Sequence, residues 1–327
     1  MSGISDSFQR PINYLRISVT DRCNLRCLYC MPREGISLVP HANLLTYEEI
    51  DVVVRAAAEM GINKVRLSGG EPLIRLGLVN LIKMLSQIEG IEDISLTTNG
   101  TLLASQAAEL KEAGLRRVNI SLDSLKRQRF EDITGYDKLP EVLEGIEQAY
   151  RVGLEPVKVN VVVMRGINDD ELVDFSLLSK EEGWHVRFIE LMPLNHKSVK
   201  QLDFVSFDEM QQSLASLGQL EVCLPPIGEG PSKYYRLPGA KGTVGFITPI
   251  SEHFCFKCNR LRLTAQGKLL PCLLSDQEID MRELLRKGAS SQEVKRLLLK
   301  AIASKPQGHR LAQGFVPQKR FMAQVGG

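Results

Sequence analysis

The cysteines are the residues of this chain whose type and spacing most directly indicate chemistry. Of the seven, six form two groups of three and Cys223 stands alone. The first triplet is Cys23, Cys27 and Cys30, and the second triplet is Cys255, Cys258 and Cys272. Their spacings are C-x3-C-x2-C and C-x2-C-x13-C. Three thiolates so close together indicate a metal site, and they leave one metal position without a protein ligand.

The spacing leaves two kinds of metal open. A structural zinc site takes four ligands, and the candidates for a fourth are His41 for the first triplet and His253 for the second. An iron-sulfur cluster with three thiolates and one accessible iron explains an incomplete set directly. For the first triplet the spacing favours iron and sulfur, whereas for the second both metals remain open. Cys223, in LEVCLPP, is interpreted as a small apolar side chain without a role.

Hydrophobic periodicity predicts the elements that position these cysteines. Short strand patterns alternate with longer helical ones, such as 47–60, which Thr46 and Glu49 open with a capping box and Gly61 closes. The six predicted strands are 14–19, 64–67, 93–97, 117–122, 157–163 and 186–189. The pattern predicts an α/β fold, an incomplete (βα)6 TIM-type barrel, with its functional loops at the carboxyl ends of the strands.

The pattern changes after Asn195 into a region punctuated by proline and glycine. We therefore expect two domains, a partial βα barrel over 1–195 and a C-terminal extension over 196–327. The extension carries the second triplet, and we expect it to lie across the open side of the barrel. That arrangement would bring the two triplets to one site although they stand at opposite ends of the chain.

Charge and composition restrict the partners. Lys+Arg 41 against Asp+Glu 39 gives a net charge of +2, and only 6% of the residues are aromatic, which argues against a nucleic-acid partner. The sequence has no apolar run long enough to cross a bilayer, and 1–11 lacks a signal-peptide pattern. These features predict a cytoplasmic protein with neither a nucleic-acid nor a membrane partner.

Two motifs resemble those of the radical S-adenosylmethionine (SAM) superfamily. The first triplet follows the first predicted strand, and Gly69-Gly70-Glu71-Pro72 follows the second, as in the methionine-binding motif of that superfamily. The resemblance implies a 4Fe-4S cluster on the first triplet, whose open iron chelates SAM. One electron then cleaves the sulfonium to give a 5'-deoxyadenosyl radical.

Eight separated blocks resemble the molybdenum cofactor biosynthesis protein A family, whose members are GTP 3',8-cyclases. They include LRISVTDRCNLRCLYC, KVRLSGGEPLIR, SLTTNG, RRVNISLDSL, VRFIELMP and FCFKCNRLRL. The resemblance implies a second 4Fe-4S cluster that binds the guanine of GTP. It also implies a carbon-carbon bond-forming lyase that makes (8S)-3',8-cyclo-7,8-dihydroguanosine 5'-triphosphate, the first step of molybdenum cofactor biosynthesis.

The same resemblance implies the site residues. Those for GTP are Arg16, Arg66, Thr97, Lys158, Arg260, Leu261 and Arg262, and those for SAM are Tyr29, Gly70, Ser121 and Met192. The residues with a catalytic role are Arg260, Arg262, Gly326 and Gly327. We expect the cations of the first strands at strand ends, and the last two arginines in the loop of the second triplet. Guanidinium groups suit a triphosphate because their donors match it bidentately.

The implied partners are GTP, a low-potential electron donor of the flavodoxin type, and the downstream cyclic pyranopterin monophosphate synthase. Relatives in the family suggest a homodimer. Two alternative functions of the chain remain open. One is a radical SAM enzyme that modifies a peptide and uses the second triplet for an auxiliary iron-sulfur cluster. The other is a zinc-binding nucleic-acid module that uses the same cysteines.

Overall fold

A single mixed sheet organises the chain in the computed structural model, which describes residues 3–194, 204–228 and 230–326. Among these residues the sheet has 12 strands in the order β12-β11-β10-β1-β2-β3-β4-β5-β6-β9-β8-β7. The strands are β1 (Tyr14–Ser18), β2 (Lys64–Ser68), β3 (Asp93–Thr98), β4 (Arg117–Ser121), β5 (Lys158–Val163), β6 (His185–Glu190), β7 (Glu221–Val222), β8 (Lys233–Arg236), β9 (Thr243–Ile247), β10 (Arg260–Leu263), β11 (Lys268–Leu270) and β12 (Ile279–Asp280).

The six predicted strands are confirmed as β1 to β6, each within one residue or two of its expected bounds. They pair side by side in chain order and run parallel. Parallel pairing requires a crossover between successive strands, and helices supply it. The strands read as largely apolar runs because helices cover their outer face and the other face is turned to the interior of the barrel.

Two strands of the C-terminal region extend this parallel sheet. β10 pairs parallel with β1 at one side, and β9 pairs parallel with β6 at the other. In the described part of the chain eight neighbouring strands are therefore parallel, while the outer ones are antiparallel. The region after residue 195 thus contributes strands to the sheet itself. The domain boundary predicted there stays a prediction, because strands from both of its sides share one sheet.

The helices lie around this sheet. They are α1 (Tyr47–Ala58), α2 (Leu78–Ser86), α3 (Leu103–Glu112), α4 (Arg127–Thr134), α5 (Leu139–Arg151), α6 (Leu172–Glu181), α7 (Phe207–Ser213), α8 (Arg282–Arg286), α9 (Ser291–Ala303) and α10 (Met322–Val325). The predicted capping box opens α1, where the Thr46 hydroxyl accepts from Glu49 N and the Glu49 carboxylate accepts from Thr46 N. In the described ranges, none of the helices is long and apolar enough to span a bilayer.

One large core runs through the sheet and its helices. It includes strand residues such as Leu15, Val65 and Phe188, and helix residues such as Val53 and Leu298, all fully or almost fully buried. A smaller apolar cluster joins the C-terminal α10 to the barrel mouth: it consists of Leu194, Leu270, Leu274, Met322 and Val325. Cys30 and Cys272, one from each triplet, pack against this second cluster. The fold therefore brings one cysteine of each triplet against the same small apolar cluster.

Candidate functional site

A first cavity opens at the carboxyl ends of β1 to β6. It is lined by Cys23, Cys27, Tyr29, Cys30, Gly69, Gly70, Ser121, Met192, Met322 and Ala323, among others. The loops that follow β1, β2, β4 and β6 supply the predicted residues, because parallel strands end at one edge of the sheet. The structure thus brings together every cysteine of the first triplet and every residue predicted for SAM.

The Gly69-Gly70-Glu71-Pro72 turn packs directly under the loop of the first triplet. A Cβ added to Gly70 would lie 2.2 Å from the carbonyl oxygen of Arg22, so a side chain has no room there. The carboxylate of Glu71 is buried and accepts from Thr98 Oγ1 at 2.7 Å and from Asn99 N at 2.7 Å. Burial raises the pKa of Glu71 to about 7, although these hydrogen bonds lower it. Glu71 therefore ties the ends of β2 and β3 together beneath the cavity.

Tyr29 is held against the wall of the same cavity. Its hydroxyl donates to Asp123 Oδ2 at 2.8 Å, and Asp123 Oδ1 accepts from Val162 N at 2.9 Å. Burial raises the pKa of Asp123 to about 6 against the effect of these hydrogen bonds. Tyr29 therefore has one fixed orientation between the first triplet and the end of β4.

The three thiols of the first triplet suit a group that carries positive charge. Burial raises the pKa of Cys23 to about 11, and it raises the pKa of Cys27 and Cys30 as well, with the neighbouring thiols adding to the effect. Thiolates at such positions need a cationic partner. Within the described ranges, no three His, Cys, Asp or Glu side chains converge on the point of a single ion. A four-iron cluster does not require that convergence, because each thiolate binds a separate iron.

A second cavity continues from the first into the interior of the barrel. Both are lined by Thr97, Asn160, Ile189 and Met192. The second is also lined by Tyr14, Arg16, Arg66, Asn119, Arg187, Cys255, Cys258, Arg260, Arg262, Cys272 and His309. The second triplet and most of the residues predicted for GTP therefore meet in one space, which opens onto the SAM residues.

Arginines line this interior in a row. Arg262, Arg16 and Arg66 occupy the same register position on the neighbouring strands β10, β1 and β2. Burial lowers the pKa of Arg16 well below its usual value, and Arg262 and Arg66 lower it further. Burial and the adjacent Arg260 lower the pKa of Arg262 to about 10. Such a row of like charges along a largely buried cavity favours an anion between the side chains.

These positions correct two expectations. Arg16 and Arg66 lie midway along their strands and point into the barrel, whereas strand ends were expected. Arg260 and Arg262 lie on β10 of the parallel sheet and not in the loop of the second triplet. The physical reason is the alternation of RLRL: the two arginines face the cavity while Leu261 packs into the core. Only the main chain of Leu261 is left to contact a ligand.

Lys158, like Leu261, is predicted for GTP but is not among the described residues that line the second cavity. It is buried at the start of β5, and its ammonium donates to the carbonyls of Ile227 at 2.8 Å and Pro226 at 3.4 Å. Burial lowers the pKa of Lys158 to about 6, and Arg187 and Arg117 contribute to the same effect. A phosphate would have to replace the two carbonyls to reach this ammonium.

The second triplet is held by a short helical turn over Cys255–Lys257 and by the end of β11. Burial would raise the pKa of Cys258, but the Lys305 ammonium and Arg260 beside it lower it below its usual value. His253, the candidate fourth ligand, lines a neighbouring surface groove, and the residue that lines the cavity is His309. The two imidazole rings stand edge to face with centroids 5.6 Å apart. The assignment of His253 as a fourth ligand therefore stays a prediction, and His309 is the histidine that lines the cavity.

The C-terminal tail enters the barrel. The Arg262 guanidinium donates to the carbonyl of Gly326 at 2.7 Å and to that of Val325 at 3.3 Å. Gly326 has a φ of +72°, and a Cβ added there would lie 2.2 Å from Ser68 Oγ. Gly326 is thus placed between β1, β2 and β10, next to the arginine row. Gly327, predicted together with it, lies outside the described residues.

Several residues that line the second cavity were missed by the sequence analysis. Four buried polar atoms of cavity residues have no hydrogen-bond partner in the described structure: Arg16 Nη2, Asn119 Oδ1, Asn160 Oδ1 and Arg187 Nε. Asn119, Asn160 and Arg187 each interrupt an apolar strand, in RVNIS, KVNVVV and HVRFIE. The same signal singled out Arg16 and Lys158 and would have found these three. Unsatisfied buried polar atoms in a cavity indicate a polar ligand.

Comparison with known proteins identifies the class to which this fold and first triplet belong. Residues 17–178 match the family model of the radical SAM superfamily, and residues 184–311 match that of Molybdenum Cofactor Synthesis C. Streptococcus suis SuiB bound to S-adenosylmethionine has a similar fold, with a TM-score of 0.59 and 14% identity over 88% of this chain and 68% of that chain. The structure of anSMEcpe with bound AdoMet gives a TM-score of 0.55 and 16% identity over 94% of this chain and 80% of that one. This is a radical SAM protein.

Full-length relatives identify the family. The GTP 3',8-cyclase of Pelotomaculum thermopropionicum is 52% identical over 99% of this chain and 100% of its own length. That of Desulforamulus reducens is 52% identical over 98% and 99%. The chain belongs to the GTP 3',8-cyclase family. Family membership excludes the zinc-binding nucleic-acid module, and the likeness to SuiB and anSMEcpe, at their low identity, concerns the fold alone.

Proposed function

We propose that this chain is a GTP 3',8-cyclase that converts GTP to (8S)-3',8-cyclo-7,8-dihydroguanosine 5'-triphosphate, the first step of molybdenum cofactor biosynthesis. The observation that carries this proposal is the pair of joined cavities, each lined by one cysteine triplet, with a row of buried arginines in the second. One cavity suits a cluster and SAM, and the other suits a second cluster and a polyanionic substrate. The cofactors are 4Fe-4S clusters and S-adenosylmethionine, as the family requires.

In the first cavity, Cys23, Cys27 and Cys30 hold the first cluster. Gly70 leaves room for the methionine moiety to approach the backbone, and Tyr29, oriented by Asp123, bounds the cavity on the side of β4. Ser121 and Met192 complete the wall from the ends of β4 and β6. When bound there, cluster and SAM together supply a 5'-deoxyadenosyl radical.

In the second cavity, Cys255, Cys258 and Cys272 would hold a cluster that supplies one iron without a protein ligand for the guanine. Arg16, Arg66, Arg260 and Arg262 bind the triphosphate, and the hydroxyl of Thr97 lies at the junction of the two cavities. A triphosphate would satisfy the like charges of the arginine row, and an unmodified peptide offers no group of comparable charge density. The charge of the cavity therefore favours GTP over the peptide-modifying alternative.

Arg262 and the tail act where the two ligands meet. Arg262 contacts Gly326 directly, so it can place the tail against the ribose while its remaining donors face the phosphates. The contact between Arg262 and Gly326 supports a role of these two residues in the step on GTP, and the proposal extends that role to Gly327 from the family resemblance alone. Arg260, which begins β10, lines the cavity next to them.

The remaining partners follow from the chemistry. The first cluster needs a low-potential electron donor, for which a flavodoxin-type protein is suited, and the cyclised nucleotide is passed to a cyclic pyranopterin monophosphate synthase. We place the reaction in the cytoplasm and regard a homodimer as the assembly to test. The division into a SAM-binding barrel over 1–195 and a GTP-binding region over 196–327 belongs to the same proposal.

The experiment is an anaerobic reaction of the iron-reconstituted chain with SAM, dithionite and GTP, followed by mass spectrometry. The expected products are 5'-deoxyadenosine and a cyclised GTP. Formation of 5'-deoxyadenosine with GTP returned unchanged would remove the substrate assignment, and it would favour a peptide substrate. Formation of neither product by a chain with full iron and sulfide would contradict the assignment of both triplets.

Variants sharpen this test. Replacing Cys27 by Ser is expected to abolish both products, whereas replacing Cys258 by Ser is expected to abolish only the cyclised GTP. The matched control is Cys223→Ser, which directly follows β7 and is not among the described residues that line either cavity, so it should retain both products. Loss of activity in the control would show that the assay reports general thiol damage.

A further inference from the structure

Lys305 is a buried cation that neither cavity uses. It follows α9 and is 4% exposed, and it is not among the described residues that line either cavity. Its ammonium donates to the carbonyls of Arg260 at 2.6 Å and Pro271 at 2.9 Å, and it lies 3.7 Å from Cys258 Sγ. Lysine is rarely buried unless its charge is paired, and these three partners use its three N–H groups.

The partners of Lys305 are the two segments that carry the second triplet. Arg260 stands two residues after Cys258, and Pro271 stands directly before Cys272. One ammonium therefore fixes the distance between two of the three cysteines from the side that faces away from the substrate. Such outer contacts orient metal ligands and tune the metal that they hold.

Arg10 holds the third cysteine in a similar way. Its guanidinium donates to the carbonyl of Cys255 at 2.8 Å and to that of Pro306, next to Lys305, at 2.7 Å. Asp6 accepts from Arg10 Nε at 2.6 Å and balances its charge. No carboxylate of the described residues is hydrogen-bonded to Lys305 Nζ, so its charge is directed at Cys258 and two carbonyl dipoles.

The first triplet has a different environment. The groups that donate to its sulfurs are amides: Leu25 N at 3.4 Å and Asn99 Nδ2 at 3.9 Å donate to Cys23 Sγ, and the backbone N–H of Ala323 donates to Cys30. Arg26 and Arg33 also lower the pKa of these thiols through their charge, against the larger effect of burial. A buried ammonium beside a cluster thiolate favours the reduced cluster, because that state carries one more negative charge. Hydrogen bonds from neutral donors favour the reduced cluster less strongly than an ammonium does. The two triplets therefore differ in their electrostatic surroundings although they share a ligand set.

We propose that Lys305 is a positioning residue of the second triplet, which fixes Cys258 and Cys272 and raises the reduction potential of the cluster bound there. The proposal rests on the assignment of a 4Fe-4S cluster to these cysteines.

The test measures the potential of the second cluster alone. In the full chain with Cys23, Cys27 and Cys30 replaced by Ala, reconstituted anaerobically, redox titration by EPR reports only this cluster. About four irons per chain are expected in that background. At the potential where the Lys305 protein is half reduced, K305M is expected to show a ratio of reduced to oxidised cluster at least tenfold lower. Such a change corresponds to a shift of about 59 mV for one electron.

Two further variants complete the test. K305R retains the charge and is expected to stay within a factor of three, whereas K305Q keeps an amide donor for the carbonyls and is expected to shift like K305M. If K305M does not retain its cluster, the reduction potential is measured in K305Q. An unchanged midpoint in K305Q or K305M with a full cluster overturns the proposal. Absence of iron already in the Lys305 background overturns the assignment of the cluster itself, a distinct result.

Discussion

Buried cations of the barrel interior are the residues on which the interpretation depends most. Arg262, Arg16 and Arg66 lie side by side on three strands, and the pKa of Arg16 is lowered well below its usual value by burial and by the other two. A fold that only required stability would not retain such a row, because replacing buried charges by apolar residues is often neutral or stabilising. The row is explained by a polyanionic ligand.

Lys158 gives the first prediction, a pH dependence of GTP binding. Its pKa in the free chain is lowered to about 6 by burial, and a bound phosphate would favour the ammonium. The complex then binds more protons than the free chain above pH 6, so GTP affinity falls as the pH rises, by up to about tenfold per unit. Titration calorimetry in two buffers of different ionisation enthalpy should show proton uptake at pH 8.

The control for this prediction is Lys158→Met, in which the triphosphate titrates but the lysine does not. The proton uptake should fall by as much as one proton in the variant. Equal uptake in both proteins would mean that the ammonium stays bound to the carbonyls of Pro226 and Ile227 and does not reach the substrate.

Gly326 gives the second prediction. In Gly326→Ala the new Cβ would lie 2.2 Å from Ser68 Oγ, so the tail has to leave its place beside Arg262. Cyclised GTP is expected to fall at least about tenfold while 5'-deoxyadenosine persists, because losing one charge-assisted hydrogen bond costs about 1.5–3 kcal/mol. The matched control is Gly239→Ala, which has the same φ of +72° but nothing within 4 Å of the added atom. Equal activity in the two variants would contradict the role of the tail.

The site residues could be predicted from the sequence to the extent that a motif or a broken pattern marks them. Spacing marked the cysteines, and a charge inside an apolar strand marked Arg16. A polar side chain inside an apolar strand also occurs at Asn119, Asn160 and Arg187, which the sequence analysis missed. His309 could not have been found, because it lies far along the chain from Cys255 and reaches the cavity only through the fold.

The N-terminal arm, residues 3–12, is expected to stabilise the loop that carries Cys255. Arg10 connects it to the loop of Cys255, and its ion pair with Asp6 is buried. Arg10→Met leaves that carboxylate buried and unpaired, which costs about 3–5 kcal/mol. We expect the arm to detach and the second cluster to be lost faster in air, so that iron falls from about eight to about four per chain.

Iron analysis over a time course of air exposure measures this third prediction, and retained cleavage of SAM shows that the first cluster survives. The matched control is Arg55→Met, an exposed arginine of α1 paired with Asp51, where a surface ion pair contributes about 0–1 kcal/mol. If the Arg10 variant keeps its iron as long as the control does, the arm does not hold the loop.

At the scale of elements, the sequence pattern predicts β1 to β6, but it does not predict the C-terminal strands that join the same sheet. Apolar runs in chain order defined β1 to β6 because local pattern and tertiary position agree there. β10 reads RLRL and looks like a half-exposed strand or loop, and only its pairing with β1 shows that both faces are buried in the fold. The helix α10 has four residues and is stabilised by its contacts in the small apolar cluster, not by its own propensity.

The whole molecule joins two cofactor sites within one barrel. Both cavities are lined by Thr97, Asn160, Ile189 and Met192, so the sites proposed for SAM and for GTP share walls formed by β3, β5 and β6. In the proposed reaction, a radical formed in the first cavity would therefore have a short path to a substrate in the second. The two triplets must consequently act within the same chain.

This arrangement gives the last prediction, a failure of complementation between chains. A variant with Cys23, Cys27 and Cys30 replaced by Ala, and one with Cys255, Cys258 and Cys272 replaced by Ala, should each form no cyclised GTP. Because the walls that the two cavities share come from one sheet, a mixture of the two variants should form no cyclised GTP either. The same result is expected when both variants are unfolded and refolded in one mixture. Mass spectrometry of the mixture measures this, and the same amount of intact chain diluted into an inactive variant serves as the control. Cyclised GTP from the mixture would mean that one chain of an assembly presents its radical to the substrate of another, and the site would then have to be rebuilt across a subunit interface.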